Sequence, residues 1–175
     1  MKIIMKKIII TTLVITALIG LSANAQIPQN GLVAYYPFNG NANDESGNGN
    51  SGTVKGASLT TDRFGNSSSA FDFNGIDNMI EVPANNQFDF QNFTISTWIK
   101  RSKLTGWGCI ISKSNWDNAA YETFALAVSD TVIQISIKNN SNCIAGFGWK
   151  KNKKTKPSEF DGDWQNIITT YDGNI

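Results

Sequence analysis

The sequence contains no histidine at all. This absence excludes Ser-His-Asp and Cys-His catalysis, and with them the usual histidine-ligated zinc and iron sites. Only two cysteines occur, Cys109 and Cys143, which is too few for a zinc site built from thiolates. The chemistry left open is noncovalent binding, carboxylate chemistry or coordination of a hard metal ion.

An excess of charge of either sign is also missing. Lysine and arginine number 15 and aspartate and glutamate 14, for a net charge of +1. Such a balance gives no reason to expect a nucleic acid as partner. Long apolar runs are missing after the first 25 residues, so no stable membrane span is expected in the rest of the chain.

The first 25 residues have the three parts of a secretory signal peptide. Lys2, Lys6 and Lys7 precede an apolar run over residues 8–21, and the small residues Ala23 and Ala25 follow. Cleavage after Ala25 is expected, with export to the periplasm, the cell surface or the medium. A permanent anchor would need about 20 apolar residues, and this run is shorter and interrupted by threonines.

Export bears on the two cysteines. A disulfide can form and persist in an oxidising compartment, so Cys109 and Cys143 are a candidate pair. Sequence alone cannot place their Cα atoms within bonding distance. The alternative is a pair of buried thiols that do not bond to each other.

Short segments that alternate apolar and polar residues recur between turn-rich stretches, and no sustained helical period is present. In residues 93–100, for example, Phe93 and Ile95 share one face while Thr94 and Trp98 share the other. The pattern predicts an all-β protein, a sandwich or jelly roll, with a long loop over residues 39–52. Strands are predicted at residues 32–38, 70–73, 79–82, 93–100, 109–113, 124–129, 132–138 and 164–171.

Five segments in order resemble a bacterial laminin G-like domain of the concanavalin A-like lectin and glucanase superfamily. They are GLVAYYPFNG (31–40), DESGNGN (44–50), FDFNG (71–75), FTISTWIK (93–100) and WQNIITTYDG (164–173). The resemblance covers nearly all of residues 26–175 and implies one domain, an antiparallel two-sheet jelly roll. Such domains continue past the Tyr-Asp-Gly turn into closing strands, whereas this chain ends at Ile175, so a truncated domain is expected.

Sugar-cleaving proteins of the same fold use paired carboxylates. The nearest approach to their glutamate-rich strand is Glu159-Phe-Asp161-Gly-Asp163, in which a glycine breaks the alternation and a second glutamate is missing. A turn that leads into Trp164 explains this segment better. A glycoside hydrolase, or its remnant, is therefore an alternative function, and no catalytic residue is assigned.

The loop over residues 43–50 is a candidate calcium site. Ca²⁺ takes six to eight oxygen ligands, and a glycine-rich loop lets several oxygens converge. Asp44 and Asn48 are the first candidates, and the resemblance implies the Gly75 carbonyl or the Asp77 carboxylate from a neighbouring loop, with a remaining acidic ligand from the missing C-terminal strand. The alternative is that Asp44 and Asn48 hydrogen-bond their own turns.

Three tryptophans, Trp107, Trp116 and Trp149, are least clearly assigned to strand cores and are candidates for stacking on sugar rings. The alternative is that each packs in the interior. Trp98 and Trp164 lie inside predicted strands and are expected to be structural. The lysine-rich stretch 150–156 is most simply a solvated loop, and the alternative is that it meets an anionic polymer at low salt.

The sequence favours a calcium-stabilised binding module that recognises a glycan or a surface protein. The alternatives are the glycoside hydrolase named above and a structural adhesive unit of a larger surface protein. The fold itself carries many functions, so the ligand is not determined.

Overall fold

The computed structural model describes residues 27–102, 106–113, 124–129, 132–139, 142–149 and 162–173. The chain divides into two compact units, residues 1–32 and 33–175. Within the first, residues 27–32 include a turn in which the Leu32 amide donates to the Gln29 carbonyl at 3.3 Å. The predicted signal peptide and its cleavage site lie outside the described residues.

The described part of the second unit is all-β, as predicted, and its helical content is one 3-10 turn at Asn86–Phe88. No helix in this part of the chain is long and apolar enough to cross a membrane. The strands are β1 (Thr53–Lys55), β2 (Ser58–Thr60), β3 (Ala70–Asp72), β4 (Met79–Glu81), β5 (Phe93–Lys100), β6 (Gly108–Lys113), β7 (Phe124–Val128), β8 (Ile133–Asn139), β9 (Asn142–Trp149) and β10 (Trp164–Tyr171).

The strands pair in four antiparallel sheets. Three are two-stranded, with orders β1-β4, β2-β3 and β10-β5, and the fourth has the order β6-β7-β8-β9. Antiparallel neighbours can be joined by short turns and need no crossover helix. The prediction of an antiparallel β architecture is therefore confirmed.

The β10-β5 sheet has one buried and one exposed face. Its register runs from Trp164 opposite Lys100 to Tyr171 opposite Phe93, and exposure alternates along all eight residues of β5. This confirms the faces predicted for residues 93–100. The outer face of the sheet consists of Thr94, Ser96, Trp98 and Lys100 on β5 with Trp164, Asn166, Ile168 and Thr170 on β10.

The inner face packs against the four-stranded sheet. The rings of Phe93 on β5 and Phe124 on β7 lie 5.4 Å apart, and Phe90 contacts both rings. Leu126 on β7 is 1% exposed, at the centre of this core. Burying a side chain of this size stabilises the fold by about 1.5–3 kcal/mol, so this two-layer contact holds the outer face in place.

The structure differs from the predicted strands in two respects. Residues 32–38 were predicted as a strand, but they form an extended segment outside any sheet. Their backbone groups bond instead to side chains of the following loop, since the Val33 carbonyl accepts from Asn48 and Asn50. The strands β1, β2 and β9 were not predicted; β1 and β2 have three residues each, too few to show an alternation.

Candidate functional site

The loop over residues 43–50 is organised around the Asp44 carboxylate. Its Oδ1 accepts from the amides of Tyr35 and Ser46, and its Oδ2 accepts from the Ser46 hydroxyl and the Asn50 amide, each at 2.9 Å. A carboxylate offers about four lone-pair sites, and all four are used here. Asp44 therefore joins the extended segment before the loop to both ends of the loop itself.

The electrostatics of Asp44 follow from these bonds. Partial burial raises its pKa, but the hydrogen bonds from Tyr35, Ser46 and Asn50 outweigh burial and hold the pKa below the ordinary value of 3.8. The pKa of the nearby Tyr36 hydroxyl shifts in the opposite direction. Burial, and then the charge of Asp44, raise the pKa of Tyr36 to about 12, so its hydroxyl stays a donor.

Asn50 extends this network into the interior. It is 2% exposed, its Nδ2 donates to Val33 and Gln87, and its Oδ1 accepts from Asn85. Its carbonyl accepts from the Tyr36 hydroxyl at 2.6 Å. A buried amide with these partners fixes the loop at little desolvation cost. The sequence prediction missed Asn50, although its position within the asparagine-rich loop was the available signal.

The second loop predicted to join a calcium site is closed by its own hydrogen bonds. Asn74 Oδ1 accepts from the amides of Ile76, Asp77 and Asn78, while Asn74 Nδ2 donates to Asp77 Oδ1 at 2.8 Å. Gly75 has φ of 70°, a left-handed conformation that favours glycine. The loop is an ordinary asparagine-capped turn between β3 and β4.

Of the residues predicted to bind calcium, Asp44 already uses both of its carboxylate oxygens as hydrogen-bond acceptors. Coordination by Asp44 would have to displace bonds that hold the loop, and Asn48 Nδ2 donates to the Val33 carbonyl and the Ser46 hydroxyl. No group of three or more acidic or cysteine side chains that could hold a metal occurs in the described ranges. The calcium site at Asp44, Asn48, Gly75 and Asp77 stays a prediction, and it competes with these hydrogen bonds.

The tryptophans predicted to bind sugar fall in different places. Trp107 is 60% exposed, just before β6. Trp149 ends β9, opposite Ile133, and its side chain lies outside what the structure describes. Trp116 also lies outside the described residues, as do the lysine-rich stretch 150–156, Glu159 and Asp161. Of the three predicted rings, Trp107 is the one whose side chain can be placed.

Trp98 was expected to be structural, but it is 45% exposed on the outer face of the β10-β5 sheet. The same face carries Ile168, 66% exposed, and the hydroxyls of Thr94 and Thr170, which lie 3.0 Å apart. The alternation of residues 93–100 already placed Trp98 opposite the core face, and that signal could have identified it. The result is an aromatic and aliphatic surface bordered by hydroxyl groups.

A turn beside this face adds a cation. The Arg63 guanidinium carbon lies 4.5 Å from the centre of the Trp98 ring and 4.1 Å from that of Phe64, which is 72% exposed. These distances are those of cation–π contacts. The sequence prediction missed Arg63 and Phe64, because nothing in the local pattern indicates which strand this turn approaches.

The two cysteines lie on strands that are not neighbours. Cys109 on β6 pairs with Ala127 on β7, and Cys143 on β9 pairs with Lys138 on β8. Three strand spacings separate them, roughly 14 Å, whereas a disulfide needs Cα atoms within about 7 Å. The disulfide stays a prediction, and the strand order disfavours it within one chain.

The described part of the protein is all-β, and its antiparallel sheets pack together through an aromatic core. The outer face of the β10-β5 sheet carries polar and aromatic side chains. The comparisons with known proteins agree with this class. The family model of the concanavalin A-like lectin/glucanases superfamily, of the laminin G-like type, matches residues 73–175, which is more than half of the chain. The chain belongs to this superfamily. Searches of curated proteins and of solved structures found no match.

Proposed function

We propose that the protein is an exported module that binds carbohydrate noncovalently on the outer face of the β10-β5 sheet. The superfamily description includes lectins, which bind sugars, and glucanases, which cleave glucans. The observation that carries the binding function is that the exposed Trp98 ring and Ile168 lie on one face of the sheet, which also carries the hydroxyls of Thr94 and Thr170. Exposed aromatic rings supply apolar contact area to a sugar, and hydroxyl groups supply directional hydrogen bonds.

Several acidic side chains of the described residues are already engaged, which favours binding over catalysis. Asp44 is saturated by loop donors, Glu81 pairs with Lys55, and Asp89 pairs with Lys113. A glycosidase needs two available carboxyl groups on either side of the scissile bond. The hydrolase remains the second candidate, because the superfamily includes glucanases and Glu159 and Asp161 lie outside the described ranges.

Calcium is a separate part of the hypothesis. The proposed surface lies on β5 and β10, whereas the predicted ligands Asp44, Asn48, Gly75 and Asp77 lie in loops that are each closed by hydrogen bonds. The proposed binding surface is therefore separate from the predicted calcium ligands. Export, expected from the N-terminal sequence, would place the module where extracellular glycans or surface proteins are available.

The test is binding of the purified protein to a panel of soluble polysaccharides, measured by affinity electrophoresis and calorimetry. We expect Trp98→Ala to weaken binding about tenfold, since an aromatic contact contributes more binding free energy than its buried area alone would give. Trp107→Ala is the matched control, because Trp107 is exposed but lies beside β6 of another sheet.

The other outcomes separate the alternatives. Loss of binding in Trp107→Ala with no effect of Trp98→Ala would move the site to the four-stranded sheet. Release of reducing sugar during incubation would favour the hydrolase. Failure to bind any polysaccharide would contradict the proposal and favour a protein partner or a structural adhesive unit.

A further inference from the structure

The Arg63 guanidinium is held against two aromatic rings, but its N–H groups are not used within the described chain. Its guanidinium carbon lies over the Trp98 and Phe64 rings, and none of its donors bonds to another described residue. A guanidinium carries five N–H donors and no acceptor, so contacts with ring faces leave hydrogen-bonding capacity on the side chain. Arg63 therefore presents several donors from a side chain that is already ordered.

The turn that carries Arg63 is itself fixed. Asp62 Oδ1 accepts from the amides of Phe64 and Asn66 at 2.8 and 2.9 Å, and its Oδ2 accepts from Asn66 Nδ2 at 3.0 Å. The Asp62 carboxylate thus serves the turn; the charge of Arg63 helps to lower its pKa, but the two side chains form no direct ion pair among the described contacts. Because turn and side chain are both ordered, a ligand would lose less conformational entropy on binding here.

The charge of the surrounding face has one sign. Lys100 is exposed on the outer face opposite Trp164, and the eight strand positions that form this face include no aspartate or glutamate. The remaining positions are aromatic, aliphatic, hydroxyl or amide. A ligand that matches this surface has hydroxyl groups, an apolar ring face and negative charge.

We propose that the outer face, with Arg63 as its anion-binding side chain, recognises an acidic sugar that bears a carboxylate or a sulfate group. The guanidinium fork matches two oxygens of either group, while Phe64, Trp98 and Ile168 contact the apolar face of the sugar ring. This inference rests on the proposed carbohydrate binding and names the class of sugar.

The experiment titrates the protein with three soluble polymers: polygalacturonate, dextran sulfate and uncharged dextran. The variants are Arg63→Gln, which removes the charge and the fork, and Arg63→Lys, which keeps the charge without the fork. Lys55→Gln is the matched control, because it removes the same charge from an exposed side chain on β1, which belongs to another sheet. Thermal unfolding of each variant verifies that the protein is folded.

We expect at least one anionic polymer to bind in preference to dextran. Arg63→Gln should weaken that binding about tenfold to a hundredfold, which corresponds to the loss of charge-assisted hydrogen bonds. Arg63→Lys should also weaken it, since an ammonium group cannot form the bidentate contact, and Lys55→Gln should change it by less than about twofold. Binding of polygalacturonate alone would identify a carboxylate ligand, and binding of dextran sulfate alone a sulfate ligand.

Three results would overturn the inference, and they are distinguishable. Equal losses in Arg63→Gln and Lys55→Gln would show unspecific attraction between charges. Binding of dextran as tight as that of the anionic polymers, with no effect of Arg63→Gln, would leave carbohydrate binding intact and refute the acidic-sugar class. Failure of every polymer here and in the wider panel would refute both this inference and the proposed function.

Discussion

Asp44 shows how the sequence signature of a metal site can coincide with a loop closed by hydrogen bonds. An aspartate in a loop rich in glycine and asparagine suggests calcium because such loops gather oxygen atoms. In this loop the groups that converge on the carboxylate are donors: two amides on Oδ1, and one amide and one hydroxyl on Oδ2. A calcium-binding loop and this hydrogen-bonded loop can have the same residue types and spacing, and only the orientation of the peptide groups distinguishes them.

We predict that Asp44→Asn lowers the free energy of unfolding by about 1–3 kcal/mol at pH 7, the cost of leaving a partly buried donor without its acceptor. An asparagine would turn its own NH₂ group toward either the Ser46 hydroxyl and Asn50 amide or the Tyr35 and Ser46 amides. Urea denaturation of wild type and variant measures the difference. The control is Glu45→Gln, an exposed neighbour that accepts one bond, from Asn39.

The same prediction has a dependence on pH. Because folding lowers the pKa of Asp44 below 3.8, the contribution of its carboxylate is fully present above that value. It is lost as the pH falls through the lower pKa of the folded state. The difference between wild type and Asp44→Asn should therefore be constant from pH 7 to about pH 5 and shrink toward pH 2. A difference that does not change with pH would contradict this account.

At the scale of the strand, β10 places two adjacent isoleucines in opposite environments. Ile167 is 7% exposed on the inner face, and Ile168 is 66% exposed on the outer face. We predict that Ile167→Ala destabilises the protein by about 2–4 kcal/mol and Ile168→Ala by less than about 1 kcal/mol. Denaturant titration of the two variants measures both, and each serves as the control of the other. Equal costs, or the reverse order, would contradict the register of β10 against β5.

The strands that could be predicted from sequence are those in which buried and exposed residues alternate along the chain. The predicted bounds of residues 93–100 and 164–171 agree with β5 and β10, since a sheet with one buried face requires alternation over its whole length. Residues 32–38 have a similar composition but no strand partner. Several of their backbone groups bond to side chains of residues 44–50, and the Tyr35 carbonyl accepts from the Glu45 amide, which a pattern local to residues 32–38 cannot show.

At the scale of the whole molecule, the candidate surface depends on contacts between distant segments. Trp98 could be assigned to the outer face from alternation, but its neighbour Arg63 lies 35 positions earlier in the chain and reaches it through a separate turn. Ile168 comes from the far end of the sequence and lies opposite Ser96 because of the β5–β10 register. Sequence reasoning identified the class of fold and tryptophan as the type of residue expected to contact a sugar. The grouping of these side chains on one surface is a property of the tertiary structure.

The hydrogen bonding of Asp44 makes a prediction for the whole molecule that is opposite to that of the calcium hypothesis. A ligand that binds only the folded state raises the melting temperature, by an amount that grows with the ratio of its concentration to its Kd. Since the four acceptor sites of Asp44 are used by its own loop, we expect millimolar Ca²⁺ to leave the Tm unchanged within about 1 °C, compared with Mg²⁺ and with a chelator. Differential scanning calorimetry measures this shift.

A rise in Tm specific to Ca²⁺ would contradict this expectation, and two variants would then locate the ion. If Asp44→Asn abolished the rise, calcium would have displaced the donors of Tyr35, Ser46 and Asn50, and the loop would have two alternative arrangements. If Asp77→Asn abolished it instead, the ion would bind at the turn between β3 and β4, where the Asp77 carboxylate is exposed and accepts from Asn74 and Asn78 through Oδ1. An unchanged Tm would leave hydrogen bonding as the function of both aspartates, with the outer face of the β10-β5 sheet independent of metal.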